Sequence, residues 1–155
     1  MAANRLNTTY GRLLWLTRLI LAAVFVSAAL PKIYSPEDFA RAIIHYRVTG
    51  LIFSAWIALF LPWFELVAGF GLLLLPLKRA SGFALAALLL LFIMMHTQAW
   101  IRGLEIACGC FGEYPTESPS ATNYVWLITR NGLLLVGCCA ILLQDLRNQS
   151  KIPIA

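Results

Sequence analysis

The sequence predicts an all-α integral membrane protein: a four-transmembrane-helix bundle with a short surface helix in the first outer loop. Two observations carry this prediction. Apolar residues make up 61% of the 155 residues and charged residues only 12%, whereas soluble domains average about 45–50% and about 25%. The apolar residues also form four blocks, at 13–30, 51–77, 80–101 and 125–143. Each block is about long enough to cross a hydrocarbon core of roughly 30 Å as a helix.

The first block resembles a signal peptide in some respects. Arg5 and Arg12 precede it, and Ser27-Ala28-Ala29 near its end is similar to a cleavage site. Its apolar stretch is nevertheless longer than the roughly 7–15 apolar residues of a signal peptide. We therefore expect this block to be the first transmembrane helix, and residues 1–155 to form a single membrane domain.

The first outer loop is predicted to contain a helix at residues 36–47. Pro36 suits the first helical position, and the carboxylates of Glu37 and Asp38 favour the positive end of a helix. Apolar side chains then recur at helical spacing, at Phe39, Ala42, Ile43 and Tyr46. This pattern is typical of a short helix that lies on the membrane surface.

Basic residues predict the topology. Four spans place six of them on the same side of the membrane as both chain termini: Arg5, Arg12, Lys78, Arg79, Arg147 and Lys151. The loops of the opposite side carry four: Lys32, Arg41, Arg47 and Arg102. Cytoplasmic segments carry the excess of basic residues, so we expect a multi-pass protein of the bacterial cytoplasmic membrane with both termini cytoplasmic. The net charge of +5 then reflects topology and contact with the lipid bilayer, and no pattern indicates nucleic acid.

The longest connection, predicted to be extracytoplasmic, contains the run Cys108-Gly109-Cys110-Phe111-Gly112. Two thiols separated by one residue can close a small, strained disulfide, and strained disulfides exchange readily with other thiols. Gly109 gives the backbone freedom that such a turn needs, and Phe111 and Gly112 complete the shape of the loop. Cys108 and Cys110 are therefore the candidate catalytic pair.

Two other interpretations of this cysteine pair remain open. The pair can form a static disulfide that only pins the loop. It can also bind a metal ion, with His96 as a third ligand, although two cysteines supply only half of a usual tetrahedral set. We expect no metal site.

A second cysteine pair, Cys138 and Cys139, lies in the fourth block. By helical rise these residues are about 20 Å or more from the loop pair. We expect two small apolar residues in a packed bundle. The alternative is a cytoplasmic redox pair, which would make the protein a transmembrane electron relay.

Ionisable residues inside the blocks are costly in lipid and are candidates for a supporting buried polar site. Glu65 lies near the middle of the second block and is predicted to pair with Arg18 or Arg130. The predicted site is completed by Lys32, which follows the first block, and by His96 and Asn131. These groups either fix helix packing or form a polar pocket for a quinone or for proton movement during thiol exchange.

Several short motifs together resemble the methylamine utilisation protein MauE family, which belongs to a broader DoxX-like group of small bacterial membrane proteins. The motifs are Pro31-Lys32, Pro62-Trp63-Phe64-Glu65, the 108–112 run and Arg130-Asn131, and the resemblance covers about residues 12–143. It implies a part in maturation of the methylamine dehydrogenase small subunit, a disulfide-rich periplasmic protein, beside a thioredoxin-like partner.

The leading hypothesis is a membrane thiol–disulfide oxidoreductase that exchanges with an extracytoplasmic thioredoxin-like protein, with a quinone as a candidate acceptor. The pattern leaves the direction of electron flow open. Two alternatives belong to other classes. One is a non-catalytic membrane scaffold for a maturation partner. The other is a small transporter that uses Arg18, Glu65 and Arg130 as a translocation path.

Overall fold

The computed structural model describes residues 2–48, 50–74, 76–104 and 123–149, with side chains from residue 11 to residue 147. Five helices and no strand occur in these ranges, which confirms the predicted all-α class. They are α1 (Ala2–Tyr34), α2 (Pro36–His45), α3 (Leu51–Gly71), α4 (Lys78–Ile101) and α5 (Tyr124–Gln149).

The four long helices are long and apolar enough to cross a membrane, over Gly11–Tyr34, Leu51–Gly71, Lys78–Ile101 and Tyr124–Arg147. Their outer surface is apolar: the side chains of Ile52, Phe53 and Leu133 are about 70% exposed. Lys32 and Glu65, in contrast, are fully buried between the helices. Charged groups inside and large apolar groups outside are what a hydrocarbon solvent favours. The predicted four-transmembrane-helix bundle is confirmed.

The bundle is built from two closely packed helix pairs, α1 with α3 and α4 with α5. Contacts of α1 with α5 and of α3 with α4 close it. Small residues allow the close approach of α1 and α3. A Cβ added to Gly69 would already be 3.4 Å from the side chains of Phe25 and Val26. Such contacts matter because helices in lipid associate largely through van der Waals packing.

The helix bounds differ from the predicted ones at several places. α1 begins at Ala2, eleven residues before the predicted block. α1 continues to Tyr34, because Pro31 has helical backbone angles and its carbonyl still accepts a hydrogen bond from the Ser35 N–H at 3.0 Å. α3 ends at Gly71, where the chain tightens into i→i+3 hydrogen bonds. α5 continues well past the last predicted residue, to Gln149, because the polar side chain of Asp145 is paired inside the bundle.

The two ends of the bundle differ in character. At one end, the loop end, α1 ends at Tyr34, α4 ends at Ile101 and α5 begins at Tyr124. At the other, the basic end, α4 begins at Lys78 and α5 ends. The predicted short helix α2 lies at the loop end and packs mainly on α3. Its buried side chains are Phe39 and Ala42, from the predicted apolar stripe.

Candidate functional site

A buried ion pair joins α1 to α3 near the loop end. Lys32 Nζ donates to both carboxylate oxygens of Glu65, each at 2.8 Å, and each side chain is only 1% exposed. Removing two charges from water is costly, and mutual attraction with good hydrogen-bond geometry is what offsets that cost. The pair fixes the relative position of the two helices at this depth.

The pairing corrects two predictions. Lys32 was counted with the basic residues of the outer loop when the topology was predicted, but the extension of α1 carries it into the bundle. Glu65 was expected to pair with Arg18 or Arg130, and its partner is Lys32. Arg18 is fourteen residues before Lys32 on the same helix, which separates them by about 21 Å at 1.5 Å per residue. Arg18 therefore cannot reach Glu65.

Two phenylalanine rings enclose the Lys32 ammonium. Its Nζ lies 5.0 Å from the centroid of Phe39 on α2 and 5.3 Å from that of Phe92 on α4. Both distances are within the range of cation–π attraction, which is strongest where water is excluded. One lysine side chain therefore contacts three helices besides its own: α2, α3 and α4.

A small cavity of about 30 Å³ adjoins the ion pair. Four of the predicted site residues line it: Lys32, Glu65, Arg130 and Asn131. The rest of its wall is apolar and comes from α1, α4 and α5. A volume of this size suits one or two water molecules and is far below the roughly 300–1,000 Å³ of typical small-molecule sites.

His96 lies one helical turn beyond Phe92 on α4 and is fully buried. Its Nδ1 is in hydrogen-bond contact with the Phe92 carbonyl oxygen. Its ring meets that of Tyr46 edge-to-face, with centroids 6.1 Å apart. His96 therefore neighbours the aromatic enclosure of Lys32 but does not line the cavity. In the described ranges no group of three or more His, Cys, Asp or Glu side chains could hold a metal ion.

Arg18, predicted in the same site, belongs to a second charged cluster at the basic end. Its guanidinium donates to Asp145 Oδ1 at 2.6 Å, and Lys78 Nζ lies 3.4 Å from the same oxygen. The Arg79 guanidinium donates to the Asp145 carbonyl oxygen at 3.0 Å. The carboxylate is 2% exposed, so Asp145 holds α1, the start of α4 and α5 together.

The sequence analysis did not single out Asp145, which lies two residues beyond the last apolar block. The sequence nevertheless contained a signal that Asp145 is buried. Arg18 needs an anionic partner in the bundle, and counting helical rise places Asp145 near the same depth on α5.

The predicted catalytic pair Cys108 and Cys110, with Gly109, Phe111 and Gly112, lies outside the described residues. The residues that flank this segment are described, and they are tied together. The Tyr124 hydroxyl donates to the Leu104 carbonyl oxygen. Tyr124 also packs with Ala99 in a small apolar cluster. α4 and α5 are thus held close where the cysteine loop leaves and re-enters the bundle.

The two cysteines of the second pair, Cys138 and Cys139, have different surroundings. Cys138 is fully buried and its thiol donates to the Gly82 carbonyl oxygen at 3.1 Å. Cys139 is exposed on the outside of α5, and both thiols are free. Cys138 is part of the α4–α5 core, as expected for a small apolar residue in a packed bundle.

Comparison with known proteins identifies the family. The family model described as methylamine utilisation protein MauE matches residues 11–144. The methylamine utilization protein MauE of Paracoccus denitrificans is 36% identical over 123 residues, which are 79% of this chain and 63% of that protein. The protein of the same name from Methylophilus methylotrophus is 33% identical over 93 residues, or 59% of this chain and 49% of that protein.

A third relative, MauE of Paracoccus versutus, is 36% identical over 98 residues, 63% of this chain and 53% of that protein. The matched segment thus spans between 49% and 63% of the length of these three relatives. No solved structure matches the chain. The family model covers the four membrane-spanning helices almost completely, and the chain therefore belongs to the methylamine utilisation protein MauE family.

Proposed function

We propose that this chain is a membrane thiol–disulfide exchange component, acting at the extracytoplasmic face in methylamine utilisation. The observation that carries the proposal is the Cys108-Gly109-Cys110 run in the connection between α4 and α5. Only three residues separate Cys108 from Leu104, whose carbonyl is held by the Tyr124 hydroxyl. Covalent geometry limits such a span to about 14 Å, which keeps the thiol near the loop end of the bundle.

The exchange is a two-electron step that balances within the two proteins. A thiolate of the Cys108/Cys110 pair attacks the disulfide of a thioredoxin-like partner, forming a mixed disulfide and releasing one partner thiolate. The second cysteine then attacks the mixed disulfide and releases the other partner thiolate. The pair ends as a disulfide and the partner as a dithiol. Run in reverse, the same steps oxidise the partner.

Burial of Lys32 supports the proposed orientation. With Lys32 inside the bundle, the loop end keeps three basic residues, Arg41, Arg47 and Arg102, against six on the side of the basic end. The excess of basic residues at the basic end, six against three, is therefore larger than the six against four counted from the sequence. Because an excess of Lys and Arg marks the cytoplasmic side, we place the basic end in the cytoplasm and the cysteine loop outside it.

The buried groups beneath the loop have a supporting role in this proposal. The Lys32–Glu65 pair and the two enclosing phenylalanines tie α1, α2, α3 and α4 together. Arg130 and Asn131 line the adjoining cavity from α5. At about 30 Å³, the cavity favours water and proton movement over a quinone ring. The proposed redox partner is therefore a protein thiol.

The decisive experiment traps the mixed disulfide. Cys108→Ser and Cys110→Ser each leave one thiol without its resolving partner, so one of them should accumulate a reductant-sensitive covalent complex with a thioredoxin-like partner in native membranes. Cys139→Ser, which alters an exposed thiol on α5, is the matched control and should trap nothing.

Differential alkylation and mass spectrometry of the unmodified chain give the second readout. The loop pair should be partly oxidised and should shift on addition of the partner. A shift with an added quinone alone would make a quinone the redox partner. If the pair is fully disulfide-bonded under every condition and no complex is trapped, thiol exchange is excluded and the non-catalytic scaffold is favoured.

A further inference from the structure

The basic end contains a second, larger pocket, between α1, the start of α4 and the last turns of α5. Its volume is about 150 Å³, against about 30 Å³ for the cavity beside Lys32. Arg18, Lys78 and Asp145 line it, together with Gln144, Trp15 and the backbone region of Gly11. It lies near the ends of three candidate membrane spans, which begin at Gly11 and Lys78 and end at Arg147, where lipid headgroups are expected.

The charges around this pocket do not balance. Arg18 and Lys78 contact the carboxylate of Asp145, and Arg79 contacts the backbone carbonyl oxygen of the same residue. Three cations thus accompany one carboxylate, which leaves a formal excess of two positive charges. Lys78 is also the first residue of α4, where the helix dipole adds positive potential. One cation would be enough to neutralise Asp145, so the other two must have a different role.

Hydrogen-bond donors also remain available there. Among the described residues, Arg18 Nε and Arg79 Nε are buried donors without a hydrogen-bond partner, and Asp145 Oδ2 is a buried acceptor without one. Buried polar groups are usually satisfied, and Arg18 lines the pocket, so an acceptor from outside the chain can satisfy its Nε–H. Phosphate oxygens are strong acceptors for arginine and lysine donors, because both partners are charged.

Trp15 indicates where this acceptor comes from. It lines the pocket and is 59% exposed on the outside of the bundle. Tryptophan at such a position contacts lipid at the headgroup level. Basic pockets between transmembrane helices on the cytoplasmic side are known to hold anionic headgroups.

We propose that the pocket of Arg18, Lys78 and Asp145 binds the phosphate of an anionic phospholipid, with Trp15 against its glycerol backbone and acyl chains. This lipid would cross-link α1, α4 and α5 at the basic end. The site is independent of the thiol exchange proposed above, since it uses none of the same residues and lies at the opposite end of the bundle.

Native mass spectrometry of the full chain in detergent tests this site, with phosphatidylglycerol as the probe and phosphatidylcholine as the comparison lipid. We expect one phosphatidylglycerol to be retained per chain, in preference to phosphatidylcholine. Lys78→Gln should weaken its retention about fivefold, the effect of one cation near a membrane surface. Lys78→Arg should keep it. Arg41→Gln, an equal charge change on the exposed face of α2, should leave it unchanged.

Lys78→Gln keeps the Arg18–Asp145 pair, and a melting curve of each variant separates loss of lipid from loss of fold. Equal retention of phosphatidylglycerol by the unmodified chain and a folded Lys78→Gln variant would overturn the proposal. Displacement of the lipid by inorganic phosphate at low millimolar concentration would also overturn it, because the ligand would then be free phosphate.

Discussion

Lys32 on α1 donates to both carboxylate oxygens of Glu65 on α3, at 2.8 Å each, inside a bundle whose outer surface is apolar. Both side chains are only 1% exposed, so the attraction between them offsets the loss of bulk solvation that each group suffers on burial. The Lys32 ammonium is also enclosed by rings from α2 and α4. The pair therefore connects α1, α2, α3 and α4, and its contribution to the stability of the protein can be measured.

Lys32→Met should destabilise the protein strongly, because it leaves the Glu65 carboxylate buried without a cation. Breaking a buried ion pair on one side costs about 3–5 kcal/mol. The double variant Lys32→Met/Glu65→Leu should recover most of that loss, since neither member of the pair is then left buried without the other. Chemical unfolding in detergent, followed by circular dichroism, measures both. A double variant no more stable than the single one would contradict the inferred mutual dependence.

Phe39→Leu tests the aromatic enclosure of Lys32. It keeps an apolar side chain but removes the ring 5.0 Å from the ammonium, and we expect a loss of about 1–2 kcal/mol. Phe83→Leu alters a ring that is 55% exposed on the outside of α4, and should change stability by less than about 0.5 kcal/mol. If the enclosure acts through Lys32, Phe39→Leu should cost much less when Lys32→Met is already present.

Gly82→Val should lower the melting temperature by crowding the contact between α4 and α5. A Cβ at Gly82 would lie 2.7 Å from Leu142 Cδ2, and Leu142 is itself buried. Overpacking of this kind costs about 1–3 kcal/mol. Gly132→Ala is the control, since nothing lies within 4 Å of its added Cβ. Removing a helical glycine there should stabilise α5 by about 0.5–1 kcal/mol. Equal effects of the two changes would exclude the inferred packing.

Tyr124→Phe removes the hydroxyl that donates to the Leu104 carbonyl. We expect a small loss of global stability, about 1 kcal/mol, and a clearly slower exchange between the Cys108/Cys110 pair and its partner. The physical reason is that this hydrogen bond joins the two ends of the cysteine loop. The exchange rate is measured by alkylating the free loop thiols at successive times after the partner is added. Unchanged exchange in the folded variant would show that the loop ends need no such tie.

Single-cysteine labelling tests the proposed orientation. In a chain whose four cysteines are replaced by serine, Arg41→Cys at the loop end should react with a membrane-impermeant maleimide in intact spheroplasts. Arg147→Cys at the basic end should react only after permeabilisation. The positive-inside bias is the physical basis of this expectation. The reverse labelling pattern would place the cysteine loop in the cytoplasm and remove the extracytoplasmic partner.

The sequence alone determined the membrane-spanning architecture, because a helix in hydrocarbon must be apolar over its whole length and that requirement is local. It also indicated the polar residues that meet at the cavity, since Glu65, Arg130 and Asn131 are conspicuous in apolar blocks. The surface helix α2 was predicted by its local spacing, and the structure confirms it within two residues.

Only the tertiary structure decided which charges pair. Lys32 and Asp145 lie just beyond predicted apolar blocks, where a polar residue is usually solvated, and both proved to be buried in the bundle. Pairing depends on where helices end and how they are rotated against each other. Those features follow from contacts such as Gly69 with Phe25, between residues far apart in the chain, and hydrophobic periodicity in one helix carries no information about its neighbour's register.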